Sequence, residues 1–165
     1  MILRALILAG GVLGGAAASQ FPEFSQQYTQ RLGGAVDALA EVVADFDASA
    51  RAEGLSREAA LEQMVGTDFI ERRQKDMRRT FVRHARLSAD LAVLQGAGPF
   101  MRAYHARRFS DGDVGRAALD AFRPALPLSF EGAVFAGTGF LAGSVAMWAA
   151  LRLFLWPFGR MRRRA

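Results

Sequence analysis

GAVFAGTGFLAGSVAMWAAL, residues 132 to 151, holds no charged side chain. As a helix rising ~1.5 Å per residue it is ~30 Å long, which is the thickness of the hydrocarbon layer of a bilayer. Glu131 stands before it. Arg152 and the basic GRMRRRA of residues 159 to 165 stand after it, and Trp148 and Trp156 mark that same end. Arginines clustered at one end, aromatic residues at interfacial depth and no polar stripe separate a membrane span from a soluble core helix, which keeps one wet face. The pattern predicts a C-terminal transmembrane helix over residues 131–156, ended by Pro157 and Gly159, and a basic cytoplasmic tail over 157–165.

A second apolar run, ALILAGGVLGGAAASQF, covers residues 5 to 21. At about 17 residues it is at the short limit for a span. It reads in two ways: as a retained N-terminal transmembrane helix over 1–21, or as a secretory signal whose Ala16-Ala17-Ala18 precedes a cleavage point. Gly10 with Gly14 and Gly11 with Gly15 give GxxxG spacings, and Gly139 with Gly143 repeats the spacing in the C-terminal run. Small residues four apart let helix backbones approach closely, so these six glycines are helix-packing candidates.

Charge places the ends. The sequence pI is 10.9, a value that suggests nucleic acid until the charge is located. Arg4, Arg152, Arg160, Arg162, Arg163 and Arg164 flank the apolar runs with Glu131 as the one acid there, so the whole formal charge of +5 belongs to the flanks. Residues 22–130 are balanced. Positive flanks put both termini in the cytoplasm and the middle segment on the outer side, the periplasm of a Gram-negative bacterium. Nucleic acid is therefore not an expected partner. The bilayer is, together with a protein partner or a second copy of the chain.

The middle segment, 22–130, reads as helix throughout, with no alternation of period two. Phe21, Phe24, Tyr28, Leu32, Ala35, Leu39, Val42 and Phe46 form one stripe, which Gly33-Gly34 interrupts. Gly54 breaks the chain and Ser56 caps a second helix, which breaks again at Gly66 with Thr67 as cap. Its stripe is Leu61, Val65, Ile70, Met77, Phe81, Leu87, Leu91 and Leu94. GAGP at 96 to 99 ends it. Phe100, Met101, Tyr104 and Phe109 suit a short third helix, and Asp113 is the expected cap of a fourth. The expected fold is all-α: two terminal transmembrane helices flanking an extramembrane antiparallel helical hairpin or bundle, coiled-coil-like in its spacing.

Catalytic signals are absent from the sequence. There is no cysteine and there are two histidines, His84 and His105, neither in a ligand spacing. SDGD at 110 to 113 lacks the ligand ladder of a calcium loop. Neither a metal nor a cofactor is expected. Arg72, Lys75, Arg79, Arg83 and Arg86 share one helix face. They are candidate contacts for an anionic surface, or else the solvated back of an amphipathic helix paired with Glu71 and Asp76. No ionisable residue lies between Arg4 and Pro22 or between Glu131 and Arg152, which disfavours an ion or proton pathway.

Two stretches resemble an uncharacterised bacterial membrane protein family catalogued as domain of unknown function 2937. One is Gln27, Tyr28, Arg31, Leu32 and Gly34. The other is Pro124, Pro127, Leu128, Glu131 and Gly132, a stiff connector leading into the last span. The resemblance implies two membrane helices with a helical domain between them. It favours retention of the first apolar segment and implies no activity. The expected role is non-enzymatic: an inner-membrane scaffold or accessory subunit of an envelope complex. The competing role is an anionic-lipid-binding module or lipid-associated enzyme using the basic helix 71–86.

Overall fold

The computed structural model describes residues 1–124 and 128–161, with side chains placed through 154, and among these there is no strand. Pro127, Trp156 and the arginines at 160 and 162–164 therefore lie outside the described side chains. The chain divides into two compact units. One joins Met1–Ser25 to Phe122–Ala165, and the other is Gln26–Ala121.

The first unit is a pair of helices, α1 (Ile2–Ser19) and α7 (Phe130–Met161). They run antiparallel. Gly10 faces Gly143 and Met147, Gly14 faces Gly139 and Gly143, and Gly15 faces Ala136 and Phe140. A methyl group at Gly10 would lie 2.6 Å from the Met147 Cβ and 3.1 Å from the Gly143 carbonyl oxygen. One at Gly14 would lie 3.0 Å from the Gly143 Cα. The two backbones thus touch at Gly10, Gly14, Gly139 and Gly143, Gly15 lies against the Ala136 carbonyl, and Gly11 makes room for the Phe140 ring and the Ser144 hydroxyl. Phe21 and Phe135 stack at the end of the pair, 5.2 Å between ring centres. The outward faces are apolar and exposed, among them Leu8, Val12 and Leu13 on α1 and Leu141, Val145 and Leu153 on α7. Both helices are long and apolar enough to cross a membrane.

Ser129 starts α7 by accepting the Gly132 N–H at 3.0 Å, which places Glu131 in the first turn. The sequence places the end of this helix at Pro157 and Gly159. The helix instead continues to Met161. A proline removes one N–H from the ladder, and one lost bond does not end a helix whose neighbouring turns keep theirs.

Helix α2 (Phe21–Ala52) follows α1 after Gln20 alone. It closes in a Schellman turn: Leu55 N–H donates to Ala50 O, Gly54 N–H to Arg51 O, and Gly54 sits at φ +69°. Ser56 caps α3 (Arg57–Glu62) and Thr67 caps α4 (Asp68–Gln95), each accepting the expected N–H three residues on. Gly66, between α3 and α4, has φ +118°. Next come α5 (Pro99–Tyr104), a 3-10 turn at Ala106–Arg108, and α6 (Gly112–Asp120).

Within the second unit α2 and α4 pair antiparallel. Phe46 meets Phe81 edge-on at 5.2 Å, and Gln26 near the other end of α2 is bonded from α5. Residues on α2 are buried with a period of seven at Thr29, Val36, Val43 and Ala50, with Leu32 buried beside them. The sequence stripe assigns Ala35 and Val42 to this seam. The structure turns it by one residue, burying Val36 and Val43 and leaving Val42 exposed. Val65, expected in the second stripe, is also exposed, because it falls in the break between α3 and α4. Arg57 bonds Asp47 through two nitrogens, at 2.6 and 2.8 Å, and its guanidinium lies 4.7 Å from the centre of the Phe81 ring. This clamps the start of α3 to the C-terminal part of α2 and to the middle of α4.

Helix α2 runs unbroken through Gly33 and Gly34, and a methyl group at either would meet nothing within 4 Å. Glycine inside a helix costs about 0.5–1 kcal/mol relative to alanine. Gly33→Ala and Gly34→Ala are therefore each expected to stabilise the full chain by about that amount. Gly14→Ala and Gly143→Ala are expected to destabilise it, because there the methyl meets backbone. Thermal unfolding in detergent checks this, and the same sign of shift at all four positions would refute the assignment.

Candidate functional site

The residues of the first motif lead to a buried polar cluster. Tyr28 and Leu32 are fully enclosed, Gln27 is half-buried, and Arg31 and Gly34 face outward. The Tyr28 ring packs on Phe109 with centres 4.6 Å apart, and its hydroxyl accepts the Asp111 N–H at 3.3 Å. Tyr28 is thus the α2 contact of the irregular stretch between α5 and α6.

Asp111 is the centre of that stretch. Its side chain is 5% exposed. It caps α6 by accepting the Val114 N–H at 3.1 Å. It also receives Arg83 through Nε at 3.1 Å and Nη2 at 3.0 Å, and Arg86 at 3.1 Å. The sequence proposes Asp113 as the cap. Asp113 instead lies in the first turn, exposed, at 3.4 Å from Arg83. A second carboxylate, Asp90 on α4, accepts from Arg108 Nη1 at 3.0 Å and from the Ser110 hydroxyl at 2.9 Å. Arg102 on α5 is buried. Its Nε donates to the Leu94 carbonyl at 3.1 Å, and its Nη1 to Gln26 Oε1 at 2.6 Å.

Burial alone would push the Asp111 carboxyl up. The Val114 N–H and the Arg83 and Arg86 guanidiniums more than offset this and hold it below its ordinary value. The Tyr28 hydroxyl is pushed up, first by burial and then by the Asp111 and Asp90 carboxylates, against the Asp111 N–H that it accepts. Among the described residues no buried side-chain nitrogen or oxygen lacks a partner, and no group of three His, Asp or Glu is placed to hold a metal ion. These carboxylates and cations satisfy one another, and the cluster fixes the segment from Pro99 to Asp111 onto α2 and α4.

The basic face of α4 is divided by these contacts. Arg83 and Arg86 are held by Asp111, and Arg79 is bonded to Asp76, which also faces Arg73 at 3.7 Å. Arg72 and Lys75 are exposed. The five cations therefore do not form one free stripe. Asp76 is the expected acid; Asp111, more than twenty residues away in sequence, is not. His84 is half-buried on α4, and His105 lies edge-on to Tyr104 at 5.1 Å. In the second motif Leu128 is exposed, Glu131 half-buried and Gly132 buried. A cleft of about 270 Å³ between the α2 and α3 ends is lined by Asp47, Arg51, Ser56, Arg57 and Glu58, two of which are already paired with each other.

Sequence reasoning does not find Asp90 and Arg102. Asp90 stands in the helical stripe with no local mark. Arg102 inverts the hydropathy of its helix, since Phe100, Met101 and Tyr104 are exposed around it. The signal for Asp111 is present in SDGD, where two aspartates compete for one cap position.

Removing a buried, paired carboxylate leaves its cations uncompensated. Asp111→Ala is expected to cost about 2–4 kcal/mol, and Tyr28→Phe about 0.5–1.5 kcal/mol. A carboxyl whose folded pKa is depressed stabilises the fold above its unfolded pKa of about 4, and loses that contribution as pH falls through the folded value. The stability gap between the natural chain and Asp111→Asn is therefore expected to be full at pH 7 and to close below about pH 4. Urea unfolding in detergent across that range measures it, and a gap independent of pH would show that the charge is not what matters.

No curated protein and no solved structure matches the chain. A protein family matches residues 2–160, nearly its whole length, and is described as a protein of unknown function, DUF2937. The match covers far more than half of the chain, and the chain belongs to the DUF2937 family.

Proposed function

We propose that the chain is a two-span protein of the bacterial inner membrane, and that it holds its helical unit in the periplasm as a non-catalytic scaffold or accessory subunit for a protein partner or a second copy of itself. The observation that carries the anchoring is the backbone contact of α1 with α7. In lipid, helices gain little from hiding apolar side chains from one another, and close backbone packing supplies the attraction. That contact also favours retention of the first segment, since its removal would uncover Gly139 and Gly143. Antiparallel pairing brings Arg4 and Arg152 to the same end, in keeping with both termini lying on the positive, cytoplasmic side. The mutual pairing of Asp90, Asp111, Arg83, Arg86 and Arg108 supports a structural rather than a chemical task for the one polar cluster in the second unit.

The competing reading, a lipid-binding module or lipid-associated enzyme working through residues 71–86, keeps Arg72 and Lys75. It loses support from Arg79, Arg83 and Arg86, which are engaged within the unit. If it held, Arg72→Glu with Lys75→Glu would abolish capture of the protein by anionic vesicles.

The chain has no cysteine, which makes topology directly testable. Single cysteines at Ala89, which is exposed on α4, and at Ala165 are labelled in intact cells with a membrane-impermeant maleimide. Position 89 is expected to react, position 165 to react only after lysis, and the mature protein to begin at Met1 or Ile2. The reverse labelling overturns the orientation. A mature protein beginning at Ser19 overturns the two-span anchor.

A further inference from the structure

We propose that the helical unit assembles side by side with further copies of itself, the acidic outer face of α2 in one copy lying against the basic outer face of α4 in the next. This assembly gives the scaffold reading above its partner and rests on that reading. Residues 22–130 are balanced in charge, yet the fold sorts the signs by helix. Between Arg31 and Arg51 the exposed charges of α2 are Asp37, Glu41 and Asp45, and from Arg72 to Arg86 every exposed charge of α4 is basic. The three acids stand four residues apart on one stripe, and Lys75 has Arg78 and Arg79 three and four residues on. Like charges at these spacings repel and destabilise a helix, whereas a helix face that only meets water ordinarily mixes its signs. Among the described residues no ion pair within the unit relieves Asp37, Glu41, Asp45, Arg72, Lys75 or Arg78.

The two faces fit one another and point apart. At ~100° per residue, Glu41 and Asp45 lie across α2 from Val36 and Val43, which are buried in the seam, and Arg78 and Val82 lie across α4 from the buried Leu87 and Leu94. Helices α2 and α4 pair through their buried sides, so within one copy the acidic face and the basic face look away from each other. A second copy brings them together. Small residues flatten both faces: Ala38, Ala44 and Ala48 are exposed among the acids, and Val82, Ala85 and Ala89 follow the basic residues. Helices with such faces can approach to about 8 Å. The register follows from Phe46 against Phe81. In a copy displaced sideways without turning, Asp45 comes level with Val82 and within one turn of Arg78 and Arg79, and Glu41 comes level with Arg86. Opposed charges on opposite sides of one unit make a head-to-tail contact, which repeats from copy to copy instead of closing as a two-fold pair.

The test uses the full cysteine-free chain in native membranes. Two differently tagged forms are co-expressed, one with a single cysteine at Ala48 and the other at Val82, both exposed, and a short membrane-permeant bismaleimide joins neighbours. The expected product joins 48 to 82, several-fold above 48 to 48 and 82 to 82. Glu41→Lys with Asp45→Lys in the first form is expected to lower it several-fold, and adding Lys75→Glu with Arg78→Glu in the second form to restore it. Equal yields of the three products overturn the association. So do adducts with other proteins in place of the mixed product, an unchanged yield after one reversal, and no recovery after both. Washing the membranes in alkaline carbonate separates the two readings: chains that stay embedded and give no mixed product sink the association alone, and chains that wash out sink the two-span anchor.

Discussion

An unpaired charge inside a folded domain costs several kcal/mol, and the helical unit encloses three charged side chains, Asp90, Arg102 and Asp111. Each is placed where it completes something that helices leave undone. Asp111 takes a free N–H at the start of α6. Arg102 takes the Leu94 carbonyl in the last turn of α4. Asp90 takes a guanidinium and a hydroxyl from the stretch between α5 and α6. Helix ends expose backbone groups that need partners. Short elements after Gln95 multiply such ends within a few residues, so the polar cluster is the condition on which this part of the chain can pack against α2 and α4.

The anchor pair meets the same requirement by the opposite route. It has no side chain to lend, so its polar groups stay within their own helices. The Thr138 hydroxyl, for example, bonds the Val134 and Phe135 carbonyls behind it. What remains is shape. Gly10 and Gly14 against Gly139 and Gly143 let main chains meet where side chains would hold them apart. One unit is thus specified by charge pairing and the other by the absence of side chains.

Much of this was legible in the sequence because it is local. Gly54, Ser56, Gly66 and Thr67 act through their own backbone or the next turn, and each does as its residue type dictates. The GxxxG spacings and the uncharged run are likewise short-range patterns. The phase of the α2 seam was not legible: Ala35 stands beside Val36 and Val42 beside Val43, so either pair completes a stripe through Leu32, Leu39 and Phe46. Only the partner helix chooses between them, with a period of seven that the sequence permits without requiring. The candidate site was less legible still. The pairings of Tyr28 with Asp111 and of Arg83 with Asp111 join positions remote in sequence, and nothing near Asp90 or Arg102 marks them as enclosed.

The glycine pair at 33 and 34 has a kinetic consequence. Leu32 and Val36 are locked in the seam on either side, while between them the helix has two residues without side chains and with nothing packed where side chains would be. Local opening is easiest where few contacts must be broken and the freed chain gains most entropy. Helix α2 is thus two stiff arms with a soft point between them. Its amides around 33 and 34 are set to exchange with solvent hydrogen ahead of those near Tyr28 and Val43, and a bending fluctuation of the helix would concentrate there rather than spread along its length.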